Sequence, residues 1–253
     1  LSPRVWLALA ALAAAYGVSL LLLAAAWHLI LLGVKANPVC LSHSMRAHAT
    51  AQLAKYVPGN VFHLVGRHMI HRAAGMDDRR LALAALVEIV LMLSAAITVA
   101  AVCVAIRPPG DALAWRGLAG MASLCAGPVV LFAVSRLPGV SVAALLRAFM
   151  LCAGFFAGMA AIIAAIAALL GGPASWGIGG GGVAAWIAGF VTPGAPGGMG
   201  IREAAMVLLG GSSASAEVLL IVALLFRVVT FLGDGVCALL GAALFRGAVT
   251  ASA

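Results

Sequence analysis

The chain has 253 residues, 65% of them hydrophobic and only 9% charged, with a formal net charge of +8. A soluble domain carries roughly 25% charged residues, so a wetted globule, a disordered chain and a small disulfide scaffold are all excluded. What remains is a polytopic membrane protein, whose basic excess fits cytoplasmic loops and attraction to anionic lipid rather than to nucleic acid.

In chain order, the first apolar run, Val5–Leu32, is long enough to cross about 30 Å of hydrocarbon, which takes about 20 helical residues. A broken segment follows over about 45–70, interrupted by Pro58-Gly59. Further spans are expected at Leu81–Ile106, Trp115–Val134 and Val142–Leu170. The Gly-rich stretch Gly171–Gly182 reads as a loop leading into a second broken segment over about 176–209, which contains Pro193-Gly194 and Pro196-Gly197-Gly198, and Gly179–Gly182 read as flexible packing against a neighbouring helix. The last span is Glu217–Phe245. A Pro-Gly pair inside an apolar stretch stops a helix, and each remaining arm is then too short to cross. Both broken segments therefore read as re-entrant hairpins.

Charge orients the chain. Lys35, Arg46, Lys55, Arg67, Arg72, Arg79 and Arg80 all fall between the first two long spans, and the positive-inside bias puts them in the cytoplasm. The first hairpin then enters from the cytoplasmic side and the second from the outside. Each shows a Pro-Gly turn followed by Gly and then Arg, a weak internal repeat of the kind found where broken helices meet near the membrane midplane. The expected fold is all-α and integral to the membrane: one transmembrane domain over residues 1–253, a polytopic helical bundle with two re-entrant hairpins in a pseudo-inverted repeat.

The stretches Lys55-Tyr56-Val57-Pro58-Gly59-Asn60-Val61-Phe62-His63 with Gly66-Arg67, and Pro193-Gly194-Ala195-Pro196-Gly197-Gly198-Met199-Gly200-Ile201-Arg202-Glu203-Ala204-Ala205, resemble signatures of the lysylphosphatidylglycerol synthase transmembrane family. The resemblance covers essentially the whole chain. It implies a bacterial inner-membrane protein that moves lipid between leaflets, with one more span before Val5. No soluble aminoacyl-transferase domain follows, so lysyl-lipid synthesis is not implied.

Intramembrane charge marks the candidate site residues, because each unpaired charge there costs several kcal/mol. Arg202 and Glu203 would grip and release a lipid phosphate, or else form an ion pair that pins the second hairpin. Arg227 and Asp234, seven apart on one helical face, need partners elsewhere, and Glu88 is one candidate. These three would line a headgroup cavity or act as interhelical contacts. Lys55, Asn60 and Arg67 bracket the turn at Pro58 and Gly59, as phosphate ligands or as ordinary loop charge and a helix cap. Pro196, Gly197 and Gly198 form the second turn. The expected partner is a lipid with an anionic or phosphate-containing headgroup, with no nucleic acid and a homodimer left open.

No P-loop or nucleophile elbow occurs, and no cofactor or metal is expected. His68 and His71 have an i, i+3 spacing, but no nearby side chain in the sequence completes a ligand set, and the histidines read as interfacial. Trp6, Trp27 and Trp115 read as interfacial anchors. A lipid translocase is the first reading. A membrane-embedded transferase acting on a lipid headgroup and a non-transporting subunit of a lipid-synthesis complex are the alternatives.

Overall fold

A chain this apolar has few polar side chains to serve its backbone, so the main chain must satisfy itself, which a helix does within one segment. The computed structural model describes residues 2–36, 40–56, 62–106, 140–172, 175–192, 198–209 and 214–244, with 127, 130, 133, 134 and 136 between them. These residues form helices joined by turns, with no strand among them. In order they are α1 (Pro3–Gly33), α2 (Leu41–Gln52) running into a 3-10 turn (Leu53–Tyr56), α3 (Phe62–Ala73) and α4 (Asp78–Ala105). After them come α5 (Val142–Leu169), α6 (Trp176–Val191), α7 (Ile201–Leu209) and α8 (Ala216–Leu244).

Helices α1, α4, α5 and α8 are long and apolar enough to cross a membrane, and they make up a multi-pass helical bundle. Their ends lie close to the expected ones. The span expected at Trp115–Val134 falls mostly outside the described residues, although Gly127, Val130, Ala133 and Val134 are helical. Local chemistry fixes the ends. Pro3 opens α1, where its missing N–H has no helical partner to lose. Asp77 caps α4 by accepting a hydrogen bond from the Arg80 N–H at 3.0 Å. α5 ends in a Schellman motif: Gly171 sits at φ 78°, with the Gly172 N–H donating to Ala167 O and the Gly171 N–H to Ala168 O. α1 ends the same way at Lys35, φ 52°.

One expectation needs correcting. The loop expected over Gly171–Gly182 stops short of Gly179–Gly182, which are buried in the first half of α6 and pack against neighbouring helices as the second reading of them had it. Added Cβ atoms at Gly179 and Gly180 would lie 2.5 Å from Ala160 O and 2.6 Å from Cys103 Cβ. The glycines let α6 press against α5 and α4, and this packing outweighs their poor helix propensity.

Packing also fixes helix direction. The Ser141 N–H donates to Gly33 O at 2.9 Å, so α5 starts where α1 ends. Arg80 Nη1 donates to Val34 O at 3.0 Å, which brings the start of α4 to that same end. Gly172, just past α5, lies against Val218 in the first turn of α8. α1 is therefore antiparallel to α4 and α5, and α5 to α8. The pair α2–α3 opens at the end of the bundle where α1 stops, and α6–α7 opens at the other.

Candidate functional site

Both short helix pairs, α2–α3 and α6–α7, carry charged side chains that pair with the long helices. The 3-10 turn after α2 carries Lys55 and Tyr56 to Asp234 on α8, a carboxylate with no solvent exposure. Lys55 Nζ lies 2.7 Å from each Asp234 oxygen, Gln52 Nε2 donates at 3.3 Å, and Tyr56 Oη donates to Oδ2. Three donors thus hold one carboxylate, which is what a buried anion requires. Gly233, beside it, crosses α1 so closely that an added Cβ would sit 2.7 Å from Ala13 O.

Arg67 on α3 is held from all sides. It forms a two-pronged ion pair with Glu88 on α4, with Nη1 at 2.8 Å from Oε1 and Nη2 on Oε2. Its guanidinium lies 3.8 Å from the centre of the Trp27 ring, and Nη1 is 3.1 Å from His48 Nδ1. A guanidinium only donates, so His48 Nδ1 accepts and the ring carries its proton on Nε2. His71 accepts from Trp27 Nε1 at 3.4 Å and donates through Nδ1 to Arg67 O at 2.9 Å, which braces the same arginine from behind.

In the second hairpin, Glu203 pairs with Arg227 on α8, through Nε to Oε1 and through Nη2 to Oε2 at 3.4 Å. Arg202 has no such partner among the described residues. Its stem lies in a slot between Gly189 and Gly198, where added Cβ atoms would come 2.5 Å from Arg202 Cγ and 2.7 Å from Nε. Nε is buried without a hydrogen bond, and the guanidinium lies 5.9 Å from the Trp186 ring centre. Gly198 also adopts φ 72°, a region costly for a residue with a Cβ. Gly198→Ala is therefore expected to displace Arg202. The measurement is Arg202 reactivity toward a guanidine-specific dicarbonyl reagent, which should differ from the parent by several-fold.

These groups surround a cavity of about 440 Å³. Lys55, Tyr56 and Arg67 reach it from the first hairpin, and Trp186, Phe190, Met199 and Arg202 from the second. Each long helix contributes from its middle third: Tyr16, Leu20 and Leu23 on α1, Glu88 and Met92 on α4, Phe155 on α5, and Arg227 and Thr230 on α8. The pairs α2–α3 and α6–α7, which open at opposite ends of the bundle, thus both line one chamber beside the middle thirds of the long helices. Asp234 stands behind Lys55. Glu203 lines a smaller adjoining crevice together with Arg202 and Arg227.

Of the residues singled out from sequence, the structure gathers Lys55, Arg67, Glu88, Arg202, Glu203, Arg227 and Asp234 in and around this chamber. Pro58, Gly59, Asn60, Pro196 and Gly197 lie outside the described residues. Three readings change. Glu88 partners neither Arg227 nor Asp234; Arg67 takes it because α3 packs directly on α4. Trp27 is 2% exposed and serves Arg67 rather than an interface. His43, His48 and His71 are buried between helices, while His68 pairs with Asp78 at 3.0 Å, so His68 and His71 turn to separate partners. No group of three or more metal-ligating side chains occurs among the described residues. Cys40, Cys103, Cys152 and Cys237 are free thiols.

Sequence reasoning missed Gln52, Tyr56, His48, Gly189 and Trp186. Gln52 and Tyr56 lie within three residues of Lys55, and polar groups so close to a buried lysine were a usable signal. Gly189 carried none. No protein-family model, curated protein or solved structure matches the chain.

Proposed function

We propose that the protein is a lipid translocase, passing a lipid with an anionic or phosphate-containing headgroup between leaflets through the central chamber. The observation that carries this reading is Arg202, a cation facing a chamber halfway along four membrane-length helices and lacking a carboxylate partner. A bare phosphate cannot enter hydrocarbon at reasonable cost, and a guanidinium supplies the charge-assisted hydrogen bonds that replace its water.

Arm length supports re-entrant hairpins. Their arms are short, about 18 Å for α2 and α3, 24 Å for α6 and 14 Å for α7 at 1.5 Å per residue. None reaches the about 30 Å of a hydrocarbon core. Helix packing supports an inverted repeat. Exchanging α1–α4 with α5–α8 in order turns each helix-helix contact into another that is also present: α1 on α8 becomes α5 on α4, α2 on α8 becomes α6 on α4, and α3 on α4 becomes α7 on α8. Because α1 and α5 run antiparallel, the two halves are inverted with respect to each other. Repeats of this kind rock around a shared central site. The family resemblance adds the bacterial inner membrane as the location.

The test is reconstitution into liposomes carrying a fluorescent phospholipid whose outer-leaflet copies are bleached by dithionite. The parent chain should expose inner-leaflet lipid faster than empty vesicles do. Arg202→Ala should lower that rate at least about tenfold, the worth of one charge-assisted hydrogen bond, with unchanged helix content and elution. Parent vesicles that behave like empty ones would sink the reading.

A further inference from the structure

We infer that the chamber is built for a singly charged phosphodiester headgroup, rather than a doubly charged phosphomonoester or a headgroup that also carries a cation. This rests on the translocase reading and specifies its substrate class. Lys55, Arg67, Arg202 and Arg227 line the chamber. Three carboxylates answer three of them, as the pairs Lys55–Asp234, Arg67–Glu88 and Arg227–Glu203. The chain holds seven acidic residues. Asp77 and Asp78 sit at the start of α4 and Glu217 at the start of α8, all at the ends of the bundle, and Asp111 lies outside the described residues. Among the described residues the chamber is therefore left with one positive charge, on Arg202.

Hydrogen bonding points the same way. Three atoms of chamber-lining residues are buried without a partner: Arg202 Nε, His48 Nε2 and His63 Nδ1. Arg202 Nε is a donor, and so is His48 Nε2 with its tautomer fixed by Arg67. The chamber thus offers donors and one net cation, which suit an anionic phosphodiester. A second negative charge would have to break one of the three ion pairs. An ammonium on the headgroup would find every carboxylate already engaged, and four cations around it. A neighbouring crevice shares Trp186, Arg202, Arg227 and Thr230 with the chamber and is otherwise walled largely by apolar residues such as Ile163, Met206 and Val222. Apolar surface beside the cation suits a lipid more than a soluble ester.

The experiment measures binding separately from movement. Native mass spectrometry of the purified chain in detergent would be titrated with dioleoyl phosphatidylglycerol, phosphatidylcholine, phosphatidic acid at pH 8.5, and soluble glycerophosphoglycerol. Phosphatidylglycerol should bind about tenfold or more tightly than phosphatidylcholine or phosphatidic acid, the difference one well-placed charged hydrogen bond makes. Arg202→Gln should erase that preference and Arg202→Lys should keep most of it. Equal binding of phosphatidylglycerol and phosphatidylcholine, or tighter binding of phosphatidic acid, overturns the inference, as does a preference that survives in Arg202→Gln. If the parent binds phosphatidylglycerol selectively yet moves no lipid in vesicles, the charge inference stands and the translocase reading falls. Soluble glycerophosphoglycerol binding as well as the lipid would have the same meaning. If the parent moves all lipids equally and binds them without preference, the translocase reading stands and the charge inference falls.

Discussion

Arg67→Ala is expected to destabilise the protein by about 3–5 kcal/mol, the usual result of stranding one member of a buried ion pair. Glu88 is 4% exposed and accepts from both Arg67 nitrogens, so removing the guanidinium leaves a carboxylate with no other ion-pair partner among the described residues. The loss extends to the Trp27 face on which Arg67 rests, since a desolvated cation–π contact contributes about 2 kcal/mol or more. The measurement is thermal unfolding in detergent followed by intrinsic fluorescence. The double variant Arg67→Met/Glu88→Leu should recover most of the loss, because apolar residues of similar volume do not need rehydrating. A single-variant loss below about 1 kcal/mol would show that water reaches Glu88 freely. The pair would then belong to the open chamber rather than to its wall.

Arg67 and Arg202 looked alike in the sequence, each an arginine a few residues beyond a Pro-Gly turn, and they have opposite surroundings. Arg67 meets Glu88, His48 and Trp27, all on other helices, while Arg202 meets two glycines and the face of a tryptophan. Nothing local separates them, because the partner is chosen when α3 packs on α4 and α7 packs on α6. Long spans were legible for the opposite reason. Twenty or more apolar residues specify a helix by themselves, and the ends of α1, α4, α5 and α8 fell where hydropathy put them. The described helical segments also end at Tyr56 and Val191 and resume at Phe62 and Ile201, on either side of the two Pro-Gly stretches, where the missing proline donor led the sequence reading to expect helices to stop.

The Gly-rich stretch Gly179–Gly182 allowed both a loop and a packing reading because glycine reports two things at once. In a loop it marks conformational freedom, and in an apolar bundle it marks close approach of a neighbouring backbone. Only the Ala160 carbonyl and Cys103 side chain, from helices distant in sequence, distinguish the two. Trp27 was misread in a related way. A tryptophan near a span end suggests an interface, but the first hairpin folds back over that end of α1 and covers it.

The Asp234 and Glu203 pairs divide stability from mobility in a way that mutation can separate. Both carboxylates tie a hairpin tip to α8, Asp234 the first and Glu203 the second. Asp234 has no exposure and is bound by three donors, so Asp234→Ala would orphan Gln52, Lys55 and Tyr56 together. Each buried group left unpaired costs about 1–3 kcal/mol. Of the three only Gln52 is buried, whereas Lys55 retains contact with the chamber and Tyr56 is 39% exposed, so the expected total is about 3 kcal/mol. In the Glu203–Arg227 pair the side chains are 13% and 29% exposed, so Arg227 can be hydrated from the chamber after Glu203→Ala. That variant should lose only about 1 kcal/mol. Yet Glu203→Ala leaves Arg227 unanswered, which doubles the net positive charge of the chamber and lets the second hairpin part from α8. Melting temperature should therefore fall much further in Asp234→Ala than in Glu203→Ala. Bound phosphatidylglycerol should be retained longer in Glu203→Ala than in the parent, slowing its release in the vesicle assay. Equal destabilisation by the two substitutions would contradict this ordering, because it would place both pairs in the same environment despite their different burial.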